Sequence, residues 1–246
     1  MFPEGYWAVE ALKFVTLFTV AFVTGLMVLR WNVRVNYTRK INHFVLFFVP
    51  IFLHRAFDFQ PSLVTTTATG ALLIASLGLY SHPIRSRIPP LAIMFASLDR
   101  PEDRPYTLWW LSSQVVAGYL VIIPLVILFG WLGHGGLMMI PILINAIGDG
   151  LAEPVGIRFG KHEYRVRALH GDREYVRTLE GSACVFFAGL VVIVLFQELF
   201  TPVQFWVALA TVPILMTLAE AFSPHTWDTP FLFLVGGLTL LGVVSL

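Results

Sequence analysis

The feature that most constrains this chain is a series of apolar runs long enough to cross a lipid bilayer. A hydrocarbon core about 30 Å thick takes roughly 20 residues of helix. Runs of that order lie at 11–29, 108–131, 182–200 and 203–221, with a shorter one at 230–246. Three weaker segments join them: 41–57 carries Pro50, 63–80 opens on a Thr-rich stretch, and 135–148 is short and interrupted by Pro141. The stretch 88–98 is apolar but too short to span, and is expected in the interface or re-entering. Only 13% of the residues are charged and 57% are hydrophobic, against about a quarter charged in soluble domains. The expectation is an all-α, polytopic integral membrane protein with about eight transmembrane helices. It is read as a single membrane-embedded domain over residues 1–246.

Charge placement sets the expected orientation. Lys and Arg flanking membrane helices are retained on the cytoplasmic side. Fourteen of the 16 cations fall in three alternate loops, around 30–40, 85–104 and 158–177, the exceptions being Lys13 and Arg55. Both termini are therefore expected outside, with the polar chemistry facing the cytoplasm. The overall balance of 16 basic against 15 acidic residues gives no basic field for nucleic acid. A single cysteine, Cys184, excludes an internal disulfide framework and a Cys-rich metal centre. The opening MFPEGYWAVEALK is acidic rather than basic and resembles neither a signal nor a transit peptide. That points to a prokaryotic plasma membrane.

The stretch Gly148-Asp149-Gly150-Leu151-Ala152-Glu153-Pro154-Val155-Gly156-Ile157-Arg158-Phe159-Gly160-Lys161 combines glycines, carboxylates and cations, and a basic loop joins it to Arg177-Thr178-Leu179-Glu180-Gly181-Ser182. Glycines let backbone N–H groups approach phosphate, and Arg and Lys neutralise phosphate oxygens. Asp149 and Glu180 are hard oxygen ligands suited to magnesium, which takes one or two carboxylates plus substrate phosphates. Asp149 is expected to end a membrane helix that carries Asn145 one turn earlier, so both share a face. Glu180 opens the next helix, where its charge also complements the dipole. The pattern is a nucleotide site of neither P-loop nor Rossmann type.

Two further clusters stand at helix ends. Arg39, Lys40, Asn42 and His43 open an early apolar run, where polar side chains face protein or a water-filled cavity. Glu220, Ser223, His225 and Asp228 link the last two runs in a loop without Lys or Arg. These acidic groups need a partner from elsewhere: an arginine of the 158–177 loop, a metal, or solvent.

Taken in order, the Arg39-Lys40-x-x-His43 element, the Asp149 to Lys161 segment with the Arg177 to Ser182 turn, and the late acidic loop ending in Asp228-Thr229-Pro230 resemble the CTP-dependent polyprenol kinase family, which includes dolichol kinase and phytol kinase. The resemblance covers roughly residues 30–246. It implies transfer of the γ-phosphoryl of CTP, or another nucleoside triphosphate, to the hydroxyl of a long-chain isoprenoid alcohol held in the bilayer. By position, Asp149 and Glu180 would hold magnesium. Gly150, Gly156, Arg158, Gly160, Lys161, Arg177, Thr178, Gly181 and Ser182 would meet the nucleotide, and Lys40 and His43 the reacting hydroxyl, with Arg39, Asn145, Glu153, Glu220 and Asp228 as further site residues. Thr229 departs from the family, which tends to have Asn there. The rival class, the CDP-diacylglycerol synthases, also has a GD segment and a [KR]TxEG turn. Its late lysine-containing, aspartate-rich string followed by GHGG is missing here.

Overall fold

The structure is a computed structural model that describes residues 2–59, 62–169 and 173–246. It is built of helices, five of them long and apolar enough to cross a membrane. Their outward faces are apolar: on the helix Pro202–Phe222, Val203, Trp206, Ile214, Leu218 and Phe222 form one stripe and are 45–81% exposed. Such a stripe is untenable in water and ordinary against lipid tails. Two compact units, Met1–Ser113 and Gln114–Leu246, divide the chain.

The first unit holds α1 (Tyr6–Trp31), α2 (Val35–Ala56), α3 (Leu63–Leu77), α4 (His82–Arg85) and α5 (Pro89–Ala96). Asn32 closes α1 at φ 51°, the left-handed position that Asn tolerates after a helix. Ser62 and Thr65 open α3 with a reciprocal capping box. The short α5, too brief to span, packs on α1, where a Cβ on Gly25 would lie 1.9 Å from the Ile93 carbonyl oxygen. Asn42 of α2 ties the group together, donating to Thr24 Oγ1 at 3.0 Å and Ser97 Oγ at 3.3 Å.

The boundary between units falls within α6 (Thr107–Trp131). The second unit continues with α7 (Met139–Ile144), a π-helical segment at Asn145–Asp149, α8 (Gly150–Phe159), the strands β1 (Glu163–Arg167) and β2 (Glu174–Thr178), α9 (Leu179–Leu195), α10 (Pro202–Phe222) and α11 (Asp228–Val244). Its core joins Leu125, Phe129, Ile140, Val185, Val212, Met216 and Leu232 from these helices. Small residues let backbones approach: a Cβ on Gly189 would sit 2.9 Å from Pro213 Cα.

Two local expectations change. Pro141 does not interrupt its segment, because it lies in the first turn of α7, where an absent N–H leaves no bond unmade. The helical path therefore runs 25 residues, Gly135–Phe159, and Asp149 lies inside it rather than at its end. The 161–177 stretch is not a plain loop: β1 and β2 pair antiparallel, Tyr164 opposite Arg177 and Val166 opposite Tyr175. Residues 170–172 of that stretch lie outside the described residues.

Candidate active site

The hairpin delivers Arg177 into the second unit. Strand alternation turns Tyr164, Val166 and Tyr175 inward and leaves Arg165, Arg167 and Val176 exposed. The Tyr175 ring stacks on His225, and the His225 N–H donates to the Arg167 carbonyl at 3.1 Å, so the hairpin is fastened to the α10–α11 loop. Arg177, on the last turn of this fastening, pairs through Nη2 with Asp228 Oδ1. Its Nη1 lies 3.1 Å from Glu220 Oε1 and also donates to the Glu220 carbonyl oxygen. The three side chains are only 6–12% exposed. Burial opposes the charged guanidinium, but Asp228 and then Glu220 outweigh it and raise the Arg177 pKa above its ordinary value.

Neutral hydroxyls complete this cluster. Ser223 Oγ lies 2.8 Å from both Asp228 Oδ1 and the Glu220 carbonyl oxygen, two acceptors for its single proton. Ser182 Oγ donates to Glu220 Oε2 at 2.7 Å. Ser182 has one proton to give, so the Tyr164 hydroxyl 2.6 Å away is the donor to it. Burial, then the charge of Glu220, raise the Tyr164 pKa above its ordinary 10.0. Asp149, 5% exposed, lies within Coulomb range of Glu220. It sits on the π segment, a backbone form that recurs at functional sites. There Gly148 lets α9 approach: a Cβ would lie 2.7 Å from Val185 Cα.

The structure thus brings together Arg177, Ser182, Glu220 and Asp228, with Asp149 close by. An arginine of the basic stretch is the partner that the late acidic loop called for. Asn145 is fully buried one π turn before Asp149, its amide 3.3 Å from Thr229 Oγ1, which also accepts from Gln114 at 3.0 Å. Thr229, the departure from the family pattern, is therefore tied into the helix core. Arg158 and Lys161 are exposed, and Glu153 is half-buried on α8.

Glu180 is held by His162, whose Nδ1 lies 2.7 Å from Oε1 and whose backbone N–H donates to Oε2 at 3.3 Å. The helix cap itself is Thr178, whose side chain accepts from the Gly181 N–H at 3.1 Å. The glycines read as phosphate contacts line the α8–α9 junction. A Cβ on Gly156 would lie 2.8 Å from Thr178 Oγ1, one on Gly160 2.5 Å from Thr178 Cγ2, and one on Gly181 2.7 Å from the Ala152 carbonyl. Their smallness is explained by packing, while Gly150 is buried at the start of α8.

Arg39, Lys40 and His43 belong to the first unit. Arg39 Nη1 is 4.0 Å from Asp103 Oδ2, which Arg100 also reaches at 2.7 Å. Lys40 is 6% exposed, and the half-buried His43 ring packs 4.8 Å from Phe47. Sequence reading missed Tyr164 and His162. The alternation in Glu163 to Arg167 and Glu174 to Thr178 was the available signal for the first, since it places Tyr164 on the strand face of Arg177.

Among the described residues no three His, Cys, Asp or Glu gather as a metal cage. Magnesium does not require one, since it retains water and takes phosphate oxygens. Asp149 suits that role as a buried hard ligand. Glu180 suits it only on exchanging His162. No family model matches the chain, and no curated protein or solved structure does so either.

Proposed function

We propose that this chain is a membrane lipid-alcohol kinase, transferring the γ-phosphoryl of CTP or another nucleoside triphosphate to the hydroxyl of an isoprenoid alcohol such as phytol or a dolichol-type polyprenol. The observation that carries the reading is the convergence of Arg177, Ser182, Glu220 and Asp228 with Asp149 close by. Two of the three segments that carry the family resemblance, the Asp149–Ser182 stretch and the late acidic loop, supply these residues. Phosphoryl transfer needs mainly positioning and charge neutralisation, and a guanidinium held between two carboxylates is positioned in advance. Its remaining N–H groups, with exposed Arg158 and Lys161 nearby in sequence, supply donors for phosphate oxygens.

Magnesium would be held by Asp149, joined by Glu180, and would neutralise charge on the nucleotide's phosphates. Lys40 and His43 would serve the acceptor hydroxyl. In this reading α2, α9 and α11 join the five helices that are long and apolar enough to cross a membrane, giving eight spans. The 17-residue helices α9 and α11 reach about 25 Å, enough for a thin or locally compressed bilayer. The cation-rich loops then face the cytoplasm of a prokaryotic plasma membrane, and both termini lie outside.

The test is purified protein in detergent with magnesium, γ-labelled CTP or ATP, and separate acceptors: phytol, farnesol, longer polyprenols, diacylglycerol and phosphatidic acid. Label in a prenyl monophosphate is the expected result. Pyrophosphate release with phosphatidic acid would replace the reading with a cytidylyltransferase, and inactivity with every pair would remove it.

A further inference from the structure

The chain passes from α3 to α6 through residues 81–106, and the first part of that connection is apolar and basic at once. Leu63–Tyr80 and Thr107–Trp131 are both long and apolar enough to cross a membrane; as spans they put the connection on one face of the bilayer. Contacts within the first unit set its depth. Thr69 of α3 donates to Glu10 of α1 at 2.9 Å, and eleven residues further along each helix Tyr80 and Ala21 share a core cluster with Phe95. The α3 span therefore ends level with Ala21, while α1 runs on about 15 Å to Trp31. The elbow formed by α4 and α5 lies beside this last part of α1, with Ile93 against Gly25, at the depth where α3 leaves the hydrocarbon.

The charges of the connection fall into two groups. After residue 98 they are balanced: Asp99 pairs with Arg104 at 2.8 Å, Asp103 with Arg100 at 2.7 Å and with Arg39 at 4.0 Å, and Glu102 accepts from Asn36 at 3.1 Å. Residues 81–98 hold His82, Arg85 and Arg87 and no acidic residue. The half-buried Arg85 lies with its guanidinium carbon 3.7 Å from the centre of the Phe95 ring, and its Nη1 has no hydrogen-bond partner. Arg87 is exposed, as are Arg30 and Arg34 on the α1–α2 turn, and none of them meets a carboxylate among the described residues. Four arginines at this end of the unit are thus left without counter-charge. Beside the two on the elbow, Ile84 and Ile88, one turn apart, are 36% and 44% exposed.

Cations without counter-charge next to exposed aliphatic side chains fit a partner that is acidic at its surface and apolar beneath. An anionic lipid leaflet has that layering. An acidic protein surface offers the charge without the apolar depth, and dissolved phosphate would leave the isoleucines in water. We propose that the α4–α5 elbow is a docking surface for anionic phospholipid headgroups. Arg85 and Arg87 meet the headgroup phosphates, and Ile84 and Ile88 enter the top of the acyl layer. The Phe95 ring holds the Arg85 charge at that depth without neutralising it. Arg30 and Arg34 add to the field from further out. The surface does not involve the Arg177 cluster and does not rest on the kinase reading.

The experiment uses the full chain with Ile88→Cys and Cys184→Ser, labelled at position 88 with a fluorophore and reconstituted in nanodiscs of phosphatidylcholine mixed with phosphatidylglycerol. A trace of nitroxide lipid, spin-labelled near the top of the acyl chain, is added as either the glycerol or the choline type. The glycerol type is expected to quench at least about twofold more strongly, and high salt and the double change Arg85→Gln/Arg87→Gln should each remove that preference. The salt comparison needs neither arginine replaced, so it decides the matter even where the double variant fails to fold. Equal quenching by the two lipids, or quenching by neither, would overturn the surface. So would a preference that persists in the folded double variant, which would place the attraction on Arg30 and Arg34. A preference abolished by inorganic phosphate but not by chloride at equal ionic strength would overturn it too, leaving a site for free phosphate.

Discussion

Arg177 of β2 and Asp228 of α11, 51 residues apart, form a buried ion pair with Glu220 on the second guanidinium nitrogen. The pair joins the β1–β2 hairpin to the first turn of the apolar helix α11. Stability and site geometry therefore depend on the same contact.

Removing one member strands the others. Arg177→Ala leaves two buried carboxylates facing each other, and a loss of about 3–5 kcal/mol is expected. Arg177→Lys keeps the charge but cannot serve both carboxylates with a planar fork, so it should fall between. Thermal unfolding in detergent measures this, and adding Asp228→Asn to Arg177→Ala should recover part of the loss. An Arg177→Ala variant that melts with the wild type would mean that the pair does not form.

The glycines at the α8–α9 junction give a second expectation. A methyl at Gly160 would meet both the Gly156 carbonyl at 2.3 Å and Thr178 Cγ2 at 2.5 Å, and forced overpacking of this kind costs about 1–3 kcal/mol. Gly160→Ala should lower the melting temperature with or without nucleotide, whereas Gly78→Ala, with nothing within 4 Å, should not. Unchanged stability in Gly160→Ala with a raised nucleotide KM would support a phosphate-contact role instead.

These glycines show where sequence reading stops. Residues 148–161 advertise small side chains, but smallness suits a phosphate cradle and a helix crossing equally, and only the position of Thr178 separates them. The apolar runs were legible because span length is a local property. The need of Asp228 and Glu220 for a cation was legible because their own loop contains none. The particular arginine was not, since it depends on the register that sets Tyr164 opposite Arg177. The π segment was hidden as well: apolar periodicity does not distinguish i→i+4 from i→i+5 pairing over a single turn.

Tyr164 supplies a pH dependence. Its phenol is buried beside the Glu220 charge, and its folded pKa is raised above 10.0. A raised folded value means that the folded state holds the proton more tightly. The contribution is complete below the ordinary phenol value and is lost as pH rises through the folded one. Stability should therefore fall above about pH 10, and Tyr164→Phe should remove that part of the fall. Parallel alkaline unfolding curves for the two proteins would show that burial and the Glu220 charge do not hold the Tyr164 phenol protonated.

If the chain is the proposed kinase, Asp149 and Glu180 should differ in how readily each binds magnesium. Asp149→Asn removes the buried hard ligand and is expected to reduce turnover at least about a hundredfold while the protein stays folded, since metal charge stabilisation is worth several kcal/mol. Glu180 must first give up His162, which holds both its oxygens. His162→Ala should therefore lower the magnesium concentration that gives half-maximal activity, and Glu180→Gln should raise it. The measurement is a magnesium titration of kinase activity at fixed nucleotide, with melting temperature as the folding control. If Glu180→Gln keeps the wild-type magnesium dependence and His162→Ala does not shift it, Glu180 serves only the first turn of α9. Asp149 would then hold the metal with water and the nucleotide's phosphates alone.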